Sequence, residues 1–249
     1  MPRFTRSMIL ITSAFTLLSA SAKVQDEINQ VYDFSANGEI NLSNINGDVR
    51  ISACDCSQVT LRAQIMASNQ ELRDRISVEI DANESRLDVK TRYEKSSKHN
   101  YGQSRVDYTL TVPNTVNLDD IELVNGNLTI SGVSGKLGAE LVNGHLDSDG
   151  SSSDIDVDAV NGDIDIRVEN FAHLKRIELN SVNGAIKLRL PNADDISLDA
   201  SSVNGSLSNE FGIPVKKHKW VGSSMKSTQR GSVDIELETV NGSIRVVEN

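Results

Sequence analysis

The tripeptide Val-Asn-Gly recurs six times along this chain, and a seventh copy has Ile in place of Val. The copies begin at Ile45, Val124, Val142, Val160, Val182, Val203 and Val240. A repeat near 20 residues is typical of stacked, repetitive β architectures. The residue three positions after each Asn is aliphatic, and in five of the seven copies another aliphatic residue follows two positions later. This alternation is typical of a half-buried strand, and we predict an all-β fold built as a β-solenoid.

Asn-Gly between alternating strands is also a strong signal for a type I′ hairpin, so a β-meander or barrel is the alternative fold. A hairpin turn places no demand on the residue before Asn, whereas Val or Ile stands there in all seven copies. The aliphatic positions before Asn161 also have counterparts before Asn143 and Asn183. Such equivalence is expected when like side chains stack on like, with the Asn residues forming a hydrogen-bonded ladder at a corner.

The sequence divides into a leader and one predicted domain. Arg3 and Arg6 precede an apolar run over residues 8–18, and small residues follow at 20–22, so we predict a signal peptide over residues 1–22. We predict a single domain over 23–249, with antiparallel strands in 58–112, continuous rungs in 118–207, an insertion loop at 208–232 and a closing rung at 233–247. The predicted location is outside the cytoplasm, either periplasmic or at the cell surface or secreted.

The charge balance limits the partners. Asp and Glu number 35 against 25 Lys and Arg, which gives a formal net charge of −10. An acidic chain is a poor partner for nucleic acid or for an anionic membrane surface. After removal of the leader, no apolar stretch approaches the length of a transmembrane helix, so no integral membrane segment is expected.

The Val-Asn-Gly-x-Ile repeats and the strand ends at Val112-Pro113 and Leu190-Pro191 carry a family resemblance. The chain resembles the bacterial "putative adhesin" domain family, which is related to the head-GIN type of auto-transporter adhesins. An early rung followed by a non-repetitive β segment adds to the likeness. The resemblance implies a β-solenoid and a surface or envelope location, and it implies no site.

Catalytic motifs are absent from the sequence. The four histidines lie in separate segments, and no His-Glu-x-x-His, Gly-x-Ser-x-Gly, Walker or Gly-x-Gly-x-x-Gly pattern occurs. We predict a non-enzymatic exported protein of the cell envelope, without a cofactor, that acts in adhesion or as a scaffold through its repetitive β surface. Its expected partner is an envelope or extracellular polysaccharide or protein. A polysaccharide-processing enzyme on a β-helix is an alternative.

A column of acids is the first candidate site. Glu122, Glu140 and Asp158 each lie three residues before a repeated Asn, so they are expected to stack on one outer face. Carboxylate oxygens are calcium ligands, which makes this column a candidate calcium site. The alternative is a solvated acidic face that keeps the protein soluble and discourages edge pairing.

The insertion loop is the second candidate. Lys216, Lys217, Lys219 and Trp220 form a basic and aromatic cluster in an acidic protein. Such a loop is suited to stacking on a sugar ring and binding an acidic polysaccharide, which predicts a glycan-binding module as an alternative function. The competing interpretation is that the indole covers the end of the coil while the lysines are solvated.

Cys54 and Cys56 are the two cysteines of the chain, and a single residue separates them. A disulfide between them requires a tight turn, because extended backbone holds their Cα atoms near the upper limit of about 7 Å. We predict this disulfide, with unpaired structural thiols as the alternative. A redox or metal role is a further alternative, although two thiolates alone do not complete a tetrahedral site.

Overall fold

A computed structural model describes residues 23–94, 102–218, 222–228 and 230–249. The predicted signal peptide, Lys219 and Trp220 lie outside these residues. Most of the described chain lies in β-strands, and the prediction of an all-β fold is confirmed. Within the described ranges, no helix is long and apolar enough to cross a membrane.

The helix α1 (Gln70–Asp74) lies between strands β4 and β5. The strands follow the chain as β1 (Val24–Asp33), β2 (Glu39–Asn46), β3 (Val49–Cys54), β4 (Gln58–Ala67), β5 (Ile76–Ala82), β6 (Arg86–Tyr93), β7 (Ser104–Pro113), β8 (Asn117–Asn125), β9 (Leu128–Ser131), β10 (Leu137–Asn143), β11 (Leu146–Ser151), β12 (Ile155–Asn161), β13 (Ile164–Val168), β14 (Arg176–Asn183), β15 (Ile186–Leu190), β16 (Ile196–Asn204), β17 (Leu207–Asn209), β18 (Val215–His218), β19 (Gly222–Lys226), β20 (Val233–Asn241) and β21 (Ile244–Glu248).

These strands form two large mixed sheets. The ten-stranded sheet has the order β1-β4-β7-β3-β9-β11-β13-β15-β21-β17, and the eleven-stranded sheet has the order β18-β19-β16-β20-β14-β12-β10-β8-β2-β6-β5. In the described residues each sheet begins and ends on different strands, so neither sheet closes on itself. The aliphatic side chains that alternate along the strands are buried between the sheets, as Ile155 and Val157 are on β12.

Each Val-Asn-Gly copy is a corner that passes the chain from the eleven-stranded sheet to the ten-stranded sheet. Strands β8, β10, β12 and β14 are neighbours in the first sheet, and β9, β11, β13 and β15 are neighbours in the second. The pairing is parallel and in register, so that Asn143 lies beside Asn125 on one side and Asn161 on the other. Equivalent residues of successive copies therefore stand in columns.

The corner Asn side chains are joined by hydrogen bonds. The Nδ2 atom of Asn143 donates to Oδ1 of Asn125 at 2.9 Å, and Nδ2 of Asn161 donates to Oδ1 of Asn143 at 3.0 Å. The same bond links every pair of neighbouring corners from Asn46 to Asn204. Each corner amide thus has its partner in the next corner, as expected for an Asn ladder.

The corner glycines are required by the close approach of the backbone. A Cβ atom built on Gly144 would lie 1.8 Å from the carbonyl oxygen of Gly126, the glycine of the preceding corner. Gly126, Gly162, Gly184, Gly205 and Gly242 meet the same obstacle at 1.7–1.9 Å. A side chain at any of these positions would push two corners apart.

The pair β20-β21 does not lie where its place in the sequence suggests. It lies between β14-β15 and β16-β17, with Asn241 in register with both Asn183 and Asn204. The hairpin β18-β19 of the insertion pairs antiparallel with the outer edge of β16, so the chain returns from that edge to the space beside β14. The rung predicted to close the coil is therefore internal. In this position β20 has a ladder partner on both sides, and Ile235 and Leu237 are fully buried.

The N-terminal part extends the other end of the stack. The corner at Asn46 stacks on the corner at Asn125, through parallel pairs β2-β8 and β3-β9. Beyond it, β7 and β4 pair antiparallel in the ten-stranded sheet, and β6 and β5 pair antiparallel in the eleven-stranded sheet. The β1 strand is the end strand of the ten-stranded sheet.

Candidate binding face

The residue before each corner Asn points outward and forms an exposed column. We call this column the aliphatic ridge, and in stacking order it contains Ile45, Val124, Val142, Val160, Val182, Val240 and Val203. The exposed fractions of these residues run from 37% at Ile45 to 52% at Val203. Strand alternation explains the orientation: Leu141 is buried, so Val142 faces away from the core. The ridge crosses seven neighbouring strands of the eleven-stranded sheet.

Acidic side chains occupy the next outward positions of the same strands. Glu140 is in register with Glu122 on one side and with Asp158 on the other. A second row lies two residues further from the corner. In it, Glu178 lies between Asp156 and Glu236, and Asp199 follows. We call these two rows the acidic columns. The first of them continues through Asn180 to Glu238.

The acidic columns are electrostatically crowded. Partial burial raises the pKa of Asp156, and the neighbouring carboxylates of Glu178 and Asp158 raise it further. The pKa of Asp120 on β8 is raised for the same reasons, with Glu122 and Asp119 as the acidic neighbours. Burial is the larger cause of both shifts, and the negative charges beside each carboxyl group add to it.

Some cations lie within the acidic columns. The guanidinium of Arg176 is 2.6 Å from a carboxylate oxygen of Glu178 and 3.7 Å from one of Glu236. Lys226 on β19 forms an ion pair with Asp199. These pairs lie toward one end of the stack, and the carboxylates of Glu122 and Glu140 are further along it.

The predicted calcium residues are brought into one row. Glu122, Glu140 and Asp158 occupy adjacent strands, yet the described residues contain no group of three His, Cys, Asp or Glu side chains that could hold a metal ion. Side chains on adjacent strands start about 4.8 Å apart and point the same way, whereas calcium needs several oxygens converging at about 2.4 Å. In addition, Asp158 accepts a hydrogen bond from Nδ2 of Asn180 at 3.0 Å. The row does not form a metal cage.

The predicted basic cluster is only partly within the described structure. Lys216 and Lys217 are exposed on β18, opposite Ser224 and Ser223 of β19. Because successive strand residues point to opposite sides, these two lysines do not face the same way. Lys219 and Trp220 lie outside the described residues, and the glycan-binding prediction stays a prediction.

The two cysteines lie where β3 ends. The structure joins Cys54 to Cys56 in a disulfide whose Cα atoms are 5.3 Å apart. The bridge lies in the turn between β3 and β4, and Cys54 is opposite Pro113 of β7. The turn brings the Cα atoms within the normal range for a disulfide.

Sequence reasoning missed the aliphatic ridge as a surface. The invariance of Val or Ile before Asn indicated stacking, and aliphatic residues are usually assigned to the core. The alternation of inward-facing and outward-facing residues along a strand was the signal that could have revealed this surface. The buried positions precede Asn by two, four and six residues, so the residue directly before Asn must lie on the opposite side.

Solved structures of other bacterial proteins are similar to this chain. A solved structure described as a putative cell adhesion protein from Clostridium sporogenes is 13% identical, with a TM-score of 0.52, and the match covers 91% of this chain and 100% of that chain. A putative adhesin from Bacteroides fragilis, also 13% identical, has a TM-score of 0.42 over 90% of this chain and 97% of that chain. A putative adhesin from Parabacteroides merdae is 11% identical, with a TM-score of 0.42 over 88% of this chain and 80% of that chain.

No curated protein matches the sequence. The family model described as Toastrack DUF4097 matches residues 35–247. The match confirms the resemblance seen in the sequence, and the chain belongs to the Toastrack DUF4097 family.

Proposed function

We propose that this protein is an exported, non-enzymatic component of the cell envelope that acts in adhesion or as a scaffold. It holds its partner on the outer face of the eleven-stranded sheet. The stacked corners are the rungs of a β-solenoid, and residues 23–249 are one domain that follows a signal peptide over residues 1–22. The partner is a polypeptide or polysaccharide of the envelope or the extracellular space.

One observation carries the proposal: the aliphatic ridge and the acidic columns repeat from strand to strand in parallel register. Equivalent side chains recur at the strand spacing of about 4.8 Å. A partner that touches several strands at once loses its translational and rotational freedom only once, so each further weak contact adds to the affinity. The adhesion-like description of a protein with the same fold agrees with such a role.

The frame supports this mechanism because it holds the columns in fixed positions. The Asn ladder and the parallel backbone pairing continue across all seven corners. A rigid array loses little conformational entropy when it binds, so more of each contact contributes to affinity. The carboxylates of this face stand in open rows on a sheet, an arrangement suited to recognition along a surface.

The test is co-sedimentation of the purified protein with cell-envelope fractions over a salt series. A variant with Glu122, Glu140 and Glu238 changed to Gln removes charge from the acidic columns and keeps the shape of the side chains. The matched control changes Lys216 and Lys217 to Gln on the edge hairpin. We expect binding that weakens as salt rises, that falls in the acidic-column variant and that persists in the lysine control.

Two results would contradict the proposal. Absence of binding at low salt would remove the adhesive role. Loss of binding in the lysine control alone would place function in the insertion and favour the glycan-binding alternative.

A further inference from the structure

The aliphatic ridge has a composition that folding alone does not require. Exposed strand positions favour β-branched residues, and Thr meets that preference while remaining polar. None of the seven ridge positions is Thr or any other polar residue. At the next outward position of the same strands the chain varies freely, with Ser43, Glu140 and Asn180 among the residues found there. The ridge is held apolar although it faces solvent.

The ridge is also continuous. Its seven members lie on neighbouring strands, and each has an exposed fraction between 37% and 52%. Together they form a patch on the order of a few hundred Å², which is the size of the largest apolar patch on a typical monomer, and such patches are often functional. Val31 on β1 is exposed to 57% but lies outside this row, so exposure of a single valine is not the distinguishing feature.

The spacing of the ridge selects the shape of its partner. Seven strands at about 4.8 Å give a length of about 29 Å. An α-helix of about 20 residues is about 30 Å long, and its apolar stripe advances about 5.4 Å per turn. An extended chain laid along the ridge would present side chains on one face about every 6.8 Å, which is further from the strand spacing. A helix is therefore the better match.

The charge beside the ridge indicates which residues the helix should carry on one flank. The acidic columns run beside the ridge on one side, and the neutral Asn ladder runs on the other. The row Glu122, Glu140 and Asp158 places three acids on adjacent strands, and basic charge on a partner would relieve their mutual repulsion. Lys or Arg side chains on one flank of the helix would supply that charge.

We propose that the aliphatic ridge docks an amphipathic α-helix of about 20 residues from a partner protein, with its apolar stripe on the ridge and its basic flank over the acidic columns. This inference rests on the proposed function and names the partner class. A second copy of the chain is a poorer match, because it would present its own acidic columns and not a basic flank. The helix found in the described residues, α1, has five residues and is too short to fill the ridge.

The experiment measures binding of a fluorescent 20-residue peptide of Leu and Lys, with Leu at helical spacing so that one face is apolar. A second peptide has the same composition in an order that gives no apolar face. The protein variant changes Val142, Val160 and Val182 to Thr, which preserves β-branching and side-chain volume. Val31→Thr is the matched control, since it makes the same change at an exposed valine off the ridge. Thermal unfolding and circular dichroism verify that each variant is folded.

We expect the helical peptide to bind and the reordered peptide to bind at least about tenfold more weakly. The triple Thr variant should lose about tenfold in affinity, a loss of about 1.4 kcal/mol. Val31→Thr should stay within about twofold of the unaltered protein. Bound peptide should also gain helical circular dichroism. Equal binding of the two peptides, or an unchanged affinity in the triple variant, would overturn the inference.

The same variants are then compared in the envelope co-sedimentation. If the peptide does not bind while the protein still sediments through its acidic columns, the helical partner is wrong and the proposed function stands. If neither the peptide nor the envelope fraction binds, both are wrong. A partner recognised by the ridge predicts that the triple Thr variant weakens both measurements and that Val31→Thr weakens neither.

Discussion

The outer faces of the two sheets are made by the same rungs, but their charged side chains are arranged differently. On the ten-stranded sheet, Asp165 is in register with Lys187 and is bound by two nitrogens of Arg189. Arg167 lies 3.8 Å from Asp149 on the neighbouring strand. On the eleven-stranded sheet the register places acid beside acid, as in the row Glu122, Glu140 and Asp158. The ten-stranded sheet also has like charges in register, as Asp147 is beside Asp165, but its outer face mixes acids with bases, whereas the acidic columns are mostly acids.

This difference shows that the frame itself does not require the acidic columns. Both faces share the corners, the strand spacing and the core, so oppositely charged neighbours could occupy either face. Repulsion between like charges beside one another costs up to about 1 kcal/mol per pair in water. A chain that mixes charges of both signs on one face and gathers acids in rows on the other is expected to gain something from the acidic face. Binding of a basic partner is the gain that we propose.

The first prediction tests the frame that both faces share. Gly144→Ala places a Cβ atom against the carbonyl oxygen of Gly126, and this backbone atom has no flexible side chain that could move aside. We expect destabilisation on the order of 3 kcal/mol or more, with a fall in Tm of at least about 6 °C. Thermal unfolding measures it.

Gly212→Ala is the control for this change, since no atom lies within 4 Å of the added Cβ. Its positive φ of 69° still disfavours Ala, so we expect a smaller loss of about 1 kcal/mol. Equal effects of the two changes would show that the corners are not as closely packed as the structure has them.

The repeated rungs also show how much of the fold the sequence could predict. The Asn ladder, the strand alternation and the outward acid row all follow from residues within one repeat. The order of the rungs did not follow. Ile235 and Leu237 of β20 would pack equally well beside Ile177 and Leu179 or at the free edge of β16, because repeated columns make rungs interchangeable. The insertion decides their place by occupying that edge with β19, and this pairing leaves no periodic signal in the sequence.

The second prediction tests charge compensation on the ten-stranded sheet. Asp165→Asn removes the carboxylate that accepts two hydrogen bonds from Arg189, in a pair whose side chains are about 30% exposed. We expect the free energy of unfolding to fall by about 1 kcal/mol and Tm to fall by about 2–4 °C. Asp147→Asn, at the adjacent position on β11, is the matched control and should change Tm by less than about 2 °C. If both changes leave Tm unaltered, the ion pairs of this face are not its stabilising feature.

The third prediction concerns the eleven-stranded sheet, where removing a carboxylate is expected to raise Tm and not to lower it. The folded-state pKa of Asp156 is raised by burial and by Glu178 and Asp158, so its ionised form destabilises the fold at neutral pH. Asp156→Asn should therefore raise Tm, by at most about 2–4 °C, when the acid is ionised.

The pH dependence of this effect follows from linkage. The penalty is present above the raised pKa and is relieved as pH falls through it, so the gain from Asp156→Asn should disappear near the ordinary carboxyl pKa of about 4. Tm measured for both proteins from neutral to acid pH checks the convergence. A fall in Tm at neutral pH would contradict the contrast between the two faces, because Asp156→Asn would then behave as Asp165→Asn does.

The smallest effect concerns cations in solution. Since the acidic columns form open rows and the described residues offer no group arranged for a metal ion, calcium should act on them by screening. We expect the Tm in calcium chloride to lie within about 1 °C of the Tm in sodium chloride at the same ionic strength. The comparison is made after chelation and repeated with the variant in which Glu122, Glu140 and Glu238 are Gln. A larger rise in calcium that the variant abolishes would establish specific binding at these carboxylates and would give the acidic face a ligand other than a basic helix.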